Sequence, residues 1–229
     1  ATVALPLGDL TSTQLRALAA LCRRYVKDTI RATVEQNIAL RWVSESDLPE
    51  LYSELVRLGL HQSGAGTIVD VTACPGTDTC KLGIASSRGL AAELRTRLAE
   101  KSMQFDQSIK DLRIKISGCF NSCGQHHIAD MGFYGISRKV SGFTVPHFQV
   151  VLGGQWSENA GSFGLPMAAI PSKRIPDVVT CLTESYIQGR TKNESFQGYF
   201  QRIGKRRRPG KDRLEYDEQQ TEQDDRTDP

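Results

Sequence analysis

Four of the six cysteines occupy two short stretches, "TACPGTDTC" at residues 72–80 and "SGCFNSCGQHH" at 117–127. Five residues separate Cys74 from Cys80, three separate Cys119 from Cys123, and 38 lie between the pairs. Three chemistries compete for such a set. Structural zinc takes pairs spaced by about two to four residues, so that one knuckle spans two corners of a tetrahedron; five intervening residues make that awkward. Two disulfides belong to an oxidising compartment, at odds with the otherwise intracellular character of the chain. A [4Fe-4S] cube is larger than one ion and accepts looser loops, provided four thiolates converge. Spacing favours the cluster and leaves zinc and unrelated thiols open.

The thiolates need elements to carry them. A strand "TIVDVTA", 67–73, is predicted to deliver Cys74, and a strand "LRIKIS", 112–117, to deliver Cys119. A helix over 82–100 is expected to start directly after Cys80 and to aim its N-terminal N–H groups back at an anionic cluster. "HIADMGFYGIS" and "HFQVVLGG" read as further strands, and 172–190 and 193–204 as helices. Upstream, 11–28 reads as an amphipathic helix capped by Thr11 or Ser12, with Leu15, Leu18, Leu21 or Cys22, and Val26 on one face. Two short strands over 29–43 break at Gln36-Asn37. A second helix over 44–60, with Ser46 as cap and Leu51, Leu55 and Leu58 inward, closes at Gly59. "HQSGAG", 61–66, is a hinge by composition.

The 229 residues, 39% hydrophobic and 24% charged, suffice for a genuine core. A net charge of +3 is too small to argue for nucleic acid. No apolar run approaches the roughly 18–20 residues of a membrane span. Six cysteines are too few for a disulfide scaffold and fit metal in a reducing, cytoplasmic setting. The start, "ATVALPLGDL", has no initiator Met and no secretory-signal layout, and is expected to be a processed end or an excised fragment.

As a set, "CPGTDTC" followed by "SGCFNSCG" resembles the iron–sulfur signature of the siroheme-dependent nitrite and sulfite reductases. "RATVEQN" is similar to that family's siroheme-facing loop, and "HIADMGFYG" continues the match, which covers about residues 11–200. The resemblance implies an α+β chain with a ferredoxin-like half-domain (1–62) and a [4Fe-4S]/siroheme-binding α/β domain with a mixed sheet and flanking helices (63–204). Beyond the match, the basic-then-acidic composition reads as a disordered charged tail (205–229). It further implies that Cys74, Cys80, Cys119 and Cys123 bind one [4Fe-4S] cluster, and that Cys123 also ligates the siroheme iron through the same sulfur. The activity implied is six-electron reduction of nitrite to ammonia or sulfite to sulfide. "NSCGQ" leans slightly towards the nitrite-reducing branch, and the electron donor would be ferredoxin or a flavoprotein.

Other residues follow with less support. Gln36 and Asn37 stand where the family's loop approaches siroheme, and Asn121 could donate to a sulfur or to the macrocycle. Arg31, Lys81 and Arg88 are candidate cations for siroheme carboxylates and anionic substrate, although each is also an ordinary solvated charge. Gly118 and Gly124 permit tight turns beside the cysteines. Cys22 and Cys181 read as buried small hydrophobes, His126 and His127 as turn or strand-edge residues, and His61 and His147 carry no signal. The basic run 204–211 reads as tail rather than as a docking site. Family members are longer, with two related halves about a pseudo-twofold and siroheme between them; this sequence resembles only the second half. It is therefore a catalytic half completed by an N-terminal half on the same or another polypeptide, or a stand-alone iron–sulfur protein without full catalysis.

Overall fold

The computed structural model describes residues 1–27, 29–157 and 161–203. The tail from 205 and the basic run 204–211 lie outside them. The first unit is a three-stranded antiparallel sheet in the order β1 (Thr2–Val3), β3 (Ile38–Leu40), β2 (Ile30–Ala32), with two helices packed on it. Helix α1 (Ser12–Tyr25) begins with a reciprocal cap: Gln14 N–H donates to Thr11 Oγ1 and Thr11 N–H to Gln14 Oε1, both at 3.1 Å. Leu18, Leu21, Cys22 and Val26 are buried, whereas Leu15, expected inward, is exposed. Helix α2 (Leu48–Arg57) has Asp47 rather than Ser46 at its N-cap; the Ser46 hydroxyl instead pairs with Ser44. Leu51 and Leu55 bury, and the helix ends at Gly59 with φ 68°.

The second unit is a five-stranded mixed sheet, β4 (Thr72–Ala73), β5 (Ile114–Ser117), β6 (Met131–Val140), β7 (Phe143–Leu152) and β8 (Leu165–Pro171), in that spatial order. The first three strands run parallel and the rest antiparallel. Ser141 and Gly142, with φ 49° and 88°, make the two-residue hairpin turn between β6 and β7. Helices α3 (Ser87–Lys101) and α5 (Ile175–Gly189) cover one face over a core that includes Leu94, Ile116, Phe133, Phe148 and Val179. A short α4 (Gln107–Lys110) precedes β5, and α6 (Phe196–Ile203) closes the chain's described part. Cys181 is only half-buried, unlike the expectation.

Several elements differ from the sequence reading, among them the short β1 and α4, which it did not contain. The strand expected over 67–73 is ordered as a strand only at Thr72–Ala73, because turns at Thr67 and Asp70 take its earlier N–H groups. Helix α3 starts at Ser87, with Ser86 Oγ accepting from Gly89 N–H, so a loop intervenes after Cys80. Strand β8 was not anticipated; its Pro166 and Pro171 disguise it, and they are tolerated because it is the sheet's edge. Among the described residues no helix is long and apolar enough to cross a membrane.

A buried polar knot joins the two units. Asp70, 4% exposed, accepts from Asn37 Nδ2 at 2.7 Å and from Gly66 N–H at 2.8 Å. Arg95 Nη1 stands 3.6 Å from the same carboxylate, an ion pair rather than a hydrogen bond. Burial pushes the Arg95 guanidinium below its ordinary value, and Asp70 pulls it back up. Asp70→Ala strands that buried cation and is expected to cost roughly 3–5 kcal/mol in a urea unfolding titration.

Candidate metal centre

Both cysteine motifs spring from the carboxyl ends of neighbouring parallel strands, β4 and β5, where open sheets of this kind form their sites. Cys74 follows β4 directly, and its Sγ accepts from Gly118 N–H at 3.1 Å, which sets it beside the residue preceding Cys119. Gly76 and Gly118 make this approach possible. A Cβ on Gly118 would stand 2.6 Å from Gly76 Cα, so any side chain there would push the two loops apart. The loop after Cys80 closes the gap from the other side, with Ile84 and Ala85 N–H both donating to Gly118 O at 2.8 and 3.1 Å. Cys74 and Cys119 are buried, Cys80 and Cys123 exposed, and all four are free thiols.

The first turn of α3 faces Cys74, not Cys80 as expected. Ser87 Oγ donates to Cys74 O at 2.8 Å and lies 3.5 Å from its sulfur. Hydrogen bonds to ligand sulfur tune a cluster's potential. Ser87 was missed because it sits 13 residues from Cys74 in an otherwise ordinary helix start. On the other flank, Gln36, left-handed at φ 67°, pairs its side-chain amide with both backbone groups of Ala73. It thereby stands in for a missing strand on the free edge of β4.

The remaining candidates divide sharply. Lys81 and Asn121 are exposed beside the cysteine loops, and Arg31 is exposed with its guanidinium on Ile30 O. Asn37 is 2% exposed, with Oδ1 taking Leu5 N–H and Nδ2 held by Asp70, so it faces the protein interior. Arg88 donates to Leu7 O and pairs with Asp9 and, at 3.0 Å, with Asp78. That gives Arg88 a different role from the expected anion-binding one: its charge is compensated while it ties the N-terminal segment to the Cys74–Cys80 loop. His126 is fully buried, and burial with a contribution from His127 pushes it down to about 4, so the ring is neutral near pH 7.

Among the described residues no three His, Cys, Asp or Glu side chains gather as one metal ion requires. The Cys74 and Cys119 loops lie side by side on adjoining strand tips, with the Gly118 N–H aimed at the Cys74 sulfur, an arrangement that suits a thiolate-bound group larger than one ion. An iron–sulfur protein of α+β architecture is the class this site and scaffold define.

The chain belongs to the nitrite and sulfite reductase family. Residues 64–216 match the nitrite and sulphite reductase 4Fe-4S domain, and residues 1–58 the nitrite/sulfite reductase ferredoxin-like half domain. It is 33% identical over 199 residues to sulfite reductase [ferredoxin] 1 of Mycolicibacterium paratuberculosis, covering 84% of this chain and 35% of that protein. It is 29% identical to ferredoxin--nitrite reductase of Synechococcus elongatus, covering 76% of this chain and 33% of that protein. The solved Mycobacterium tuberculosis NirA protein superposes with a TM-score of 0.79 at 29% identity, over 90% of this chain and 38% of that one. Dissimilatory sulfite reductase I shares the fold at a TM-score of 0.71 and 12% identity, over 89% of this chain and 66% of that one. The chain thus spans about 35% of the length of curated relatives that it matches. Membership implies a 4Fe-4S cluster together with siroheme.

Proposed function

We propose that this chain is the C-terminal half of a siroheme- and [4Fe-4S]-dependent reductase, which reduces sulfite to sulfide or nitrite to ammonia with six electrons from ferredoxin. The observation that carries the reading is the Cys74 sulfur receiving Gly118 N–H, which sets the two cysteine loops side by side. Cys74, Cys80, Cys119 and Cys123 would hold the cluster, and Cys123 would also be a ligand to siroheme. When bound, the two groups would supply the one-electron redox chemistry that anion reduction needs.

The chain's own residues orient and insulate that pair. Cys74 and Cys119 form the buried wall, where Gly118 N–H neutralises part of the Cys74 thiolate charge and Ser87 Oγ holds the Cys74 carbonyl. Gln36 fixes the residue before Cys74 and so sets where that sulfur stands. Lys81, Arg31 and Asn121 are exposed and available to siroheme carboxylates or to the substrate anion. Leu82, Ile84 and Phe120, exposed around the loops, offer apolar surface to a macrocycle and to an N-terminal half on the same or a separate polypeptide. The division at 1–62 and 63–204 is supported by the two separate hydrophobic cores. Free thiols and a cluster-bound reductase suit the cytoplasm.

Sulfite is the first anion to assay, since the more similar relatives bear that name, against the slight lean of "NSCGQ". The polypeptide carrying this chain, reconstituted anaerobically with its N-terminal half, is expected to show siroheme absorption bands beyond the broad iron–sulfur envelope. Turnover of at least one of the two anions should accompany them. The broad envelope alone would instead describe an electron-transfer protein, and the proposal would fall.

A further inference from the structure

Cys123 sits in a chain reversal that its own loop closes with one bond, from Gln125 N–H to Ser122 O at 2.8 Å. Ser122 and Gln125, on either side of it, are left-handed at φ 60° and 61°, and neither is glycine. Such conformations persist where surrounding contacts over-determine them. Here the contacts beyond that turn bond come from one face of β5. Lys115 and Ser117 point away from the core that takes Ile114 and Ile116, as the period of two requires. Ser117 Oγ accepts from Gly124 N–H at 3.1 Å and meets His126 Nδ1 at 2.8 Å. Lys115 Nζ donates to Gln125 Oε1 at 3.1 Å. Ser117, Lys115 and His126 are 1%, 3% and 0% exposed, although the cysteine they surround is open.

His126 makes little sense as packing alone. Its Nε2 is buried without a partner among the described residues, a cost of about 1–3 kcal/mol that a phenylalanine would avoid. The ring is confined by the His127 and Tyr134 rings at 4.0 and 4.7 Å between centroids. What imidazole adds over phenyl is the bond to Ser117. Gly124 N–H donates to the serine oxygen, and the same oxygen shares a hydrogen bond with His126 Nδ1 whose donor the ring tautomer sets. The chain of contacts runs from β5 to the residue immediately after Cys123.

We propose that Ser117 and His126 are positioning residues for Cys123, clamping the chain that leaves it onto β5 so that its sulfur points at a fixed place. This rests on Cys123 being the sulfur shared with siroheme. The clamp holds the outer ligand to the same strand that delivers Cys119, so the two ligands move as one body. Without it the Ser122–Gln125 reversal relaxes and the shared sulfur loses its direction, while the other three ligands keep theirs.

The test uses the full reductase polypeptide with His126→Phe, His126→Asn, Ser117→Ala and Cys123→Ser. Iron and labile sulfide content, siroheme affinity by absorption titration, and the cluster midpoint potential are measured in each. His126→Phe and Ser117→Ala are expected to keep four irons but to weaken siroheme binding about 10-fold, and to shift the potential. His126→Asn, whose amide can meet Ser117, should restore both. Unchanged siroheme affinity in His126→Phe and Ser117→Ala overturns the clamp, as does equal loss of iron and siroheme that Asn does not rescue. If His126→Phe does not fold, Ser117→Ala decides alone by the same readouts. If Cys123→Ser itself binds siroheme normally, the shared-sulfur reading fails and the clamp's purpose with it. If Cys123→Ser loses siroheme while the clamp variants do not, only the clamp is wrong.

Discussion

Cys123→Ser is expected to abolish siroheme binding, to leave a cluster with disturbed spectra, and to reduce anion reduction by at least about 100-fold. The substitution is nearly isosteric, so packing is not what changes. A thiol releases its proton near pH 8.5 and does so readily beside iron, whereas a serine hydroxyl stays protonated and is a hard, poor donor to this metal. Cys123 is exposed and Gly124 N–H is already held by Ser117, so the fold itself should not suffer. The measurement pairs iron content and siroheme absorption with thermal unfolding of the same samples. Cys22→Ser is the control: that thiol is buried against Leu18 and Leu21 in the first unit, far in sequence from the motifs, and its loss should alter stability without touching the iron. Normal siroheme in Cys123→Ser would sink the bridging role.

How much of this was legible beforehand depended on how local each signal is. The two cysteine pairs and the strands that deliver them are short-range patterns, and α1, α2 and α5 declare themselves through spaced apolar residues and caps. The start of α3 was misplaced because Leu82 and Ile84 continue its apolar rhythm. In the fold, Ile84 and Ala85 spend their N–H groups on Gly118 O, 33 or more residues away, and Ser86 becomes the cap. Strand β8 was hidden by its prolines, since its permission to contain them comes from lying at an edge. Asn37 was expected to face a cofactor because "RATVEQN" resembles a siroheme-facing loop; the buried carboxylate of Asp70, which claims it, lies in the other unit. Ser87 and His126 are the instructive misses. Each acts through a hydrogen bond to a residue 13 or 9 positions off, across elements whose adjacency no periodicity reveals.

Gly124→Ala should be nearly as damaging as loss of a ligand, for a reason that is steric rather than chemical. A Cβ there would overlap Ile116 O, lie 2.8 Å from Ile116 C and stand 3.1 Å from Ser117 Oγ. The obstacle is strand backbone, which is itself paired with β4 and β6 and cannot swing aside as a side-chain tip would. The loop must therefore lift from β5, which breaks Gly124 N–H to Ser117 and releases Cys123 from the clamp. Overpacking of this kind costs roughly 1–3 kcal/mol and more where backbone must move, so about 3 kcal/mol is expected in urea titration, together with loss of siroheme from whatever folds. Gly142→Ala separates this from the general penalty of replacing a glycine. It has open space for a Cβ but φ 88°, so its cost is conformational, about 1 kcal/mol, and is confined to the β6–β7 turn. If Gly142→Ala and Gly124→Ala destabilise equally and both retain siroheme, close approach of the Cys123 loop to β5 is not what holds the shared sulfur. If only Gly124→Ala sheds siroheme, that contact is the one that matters.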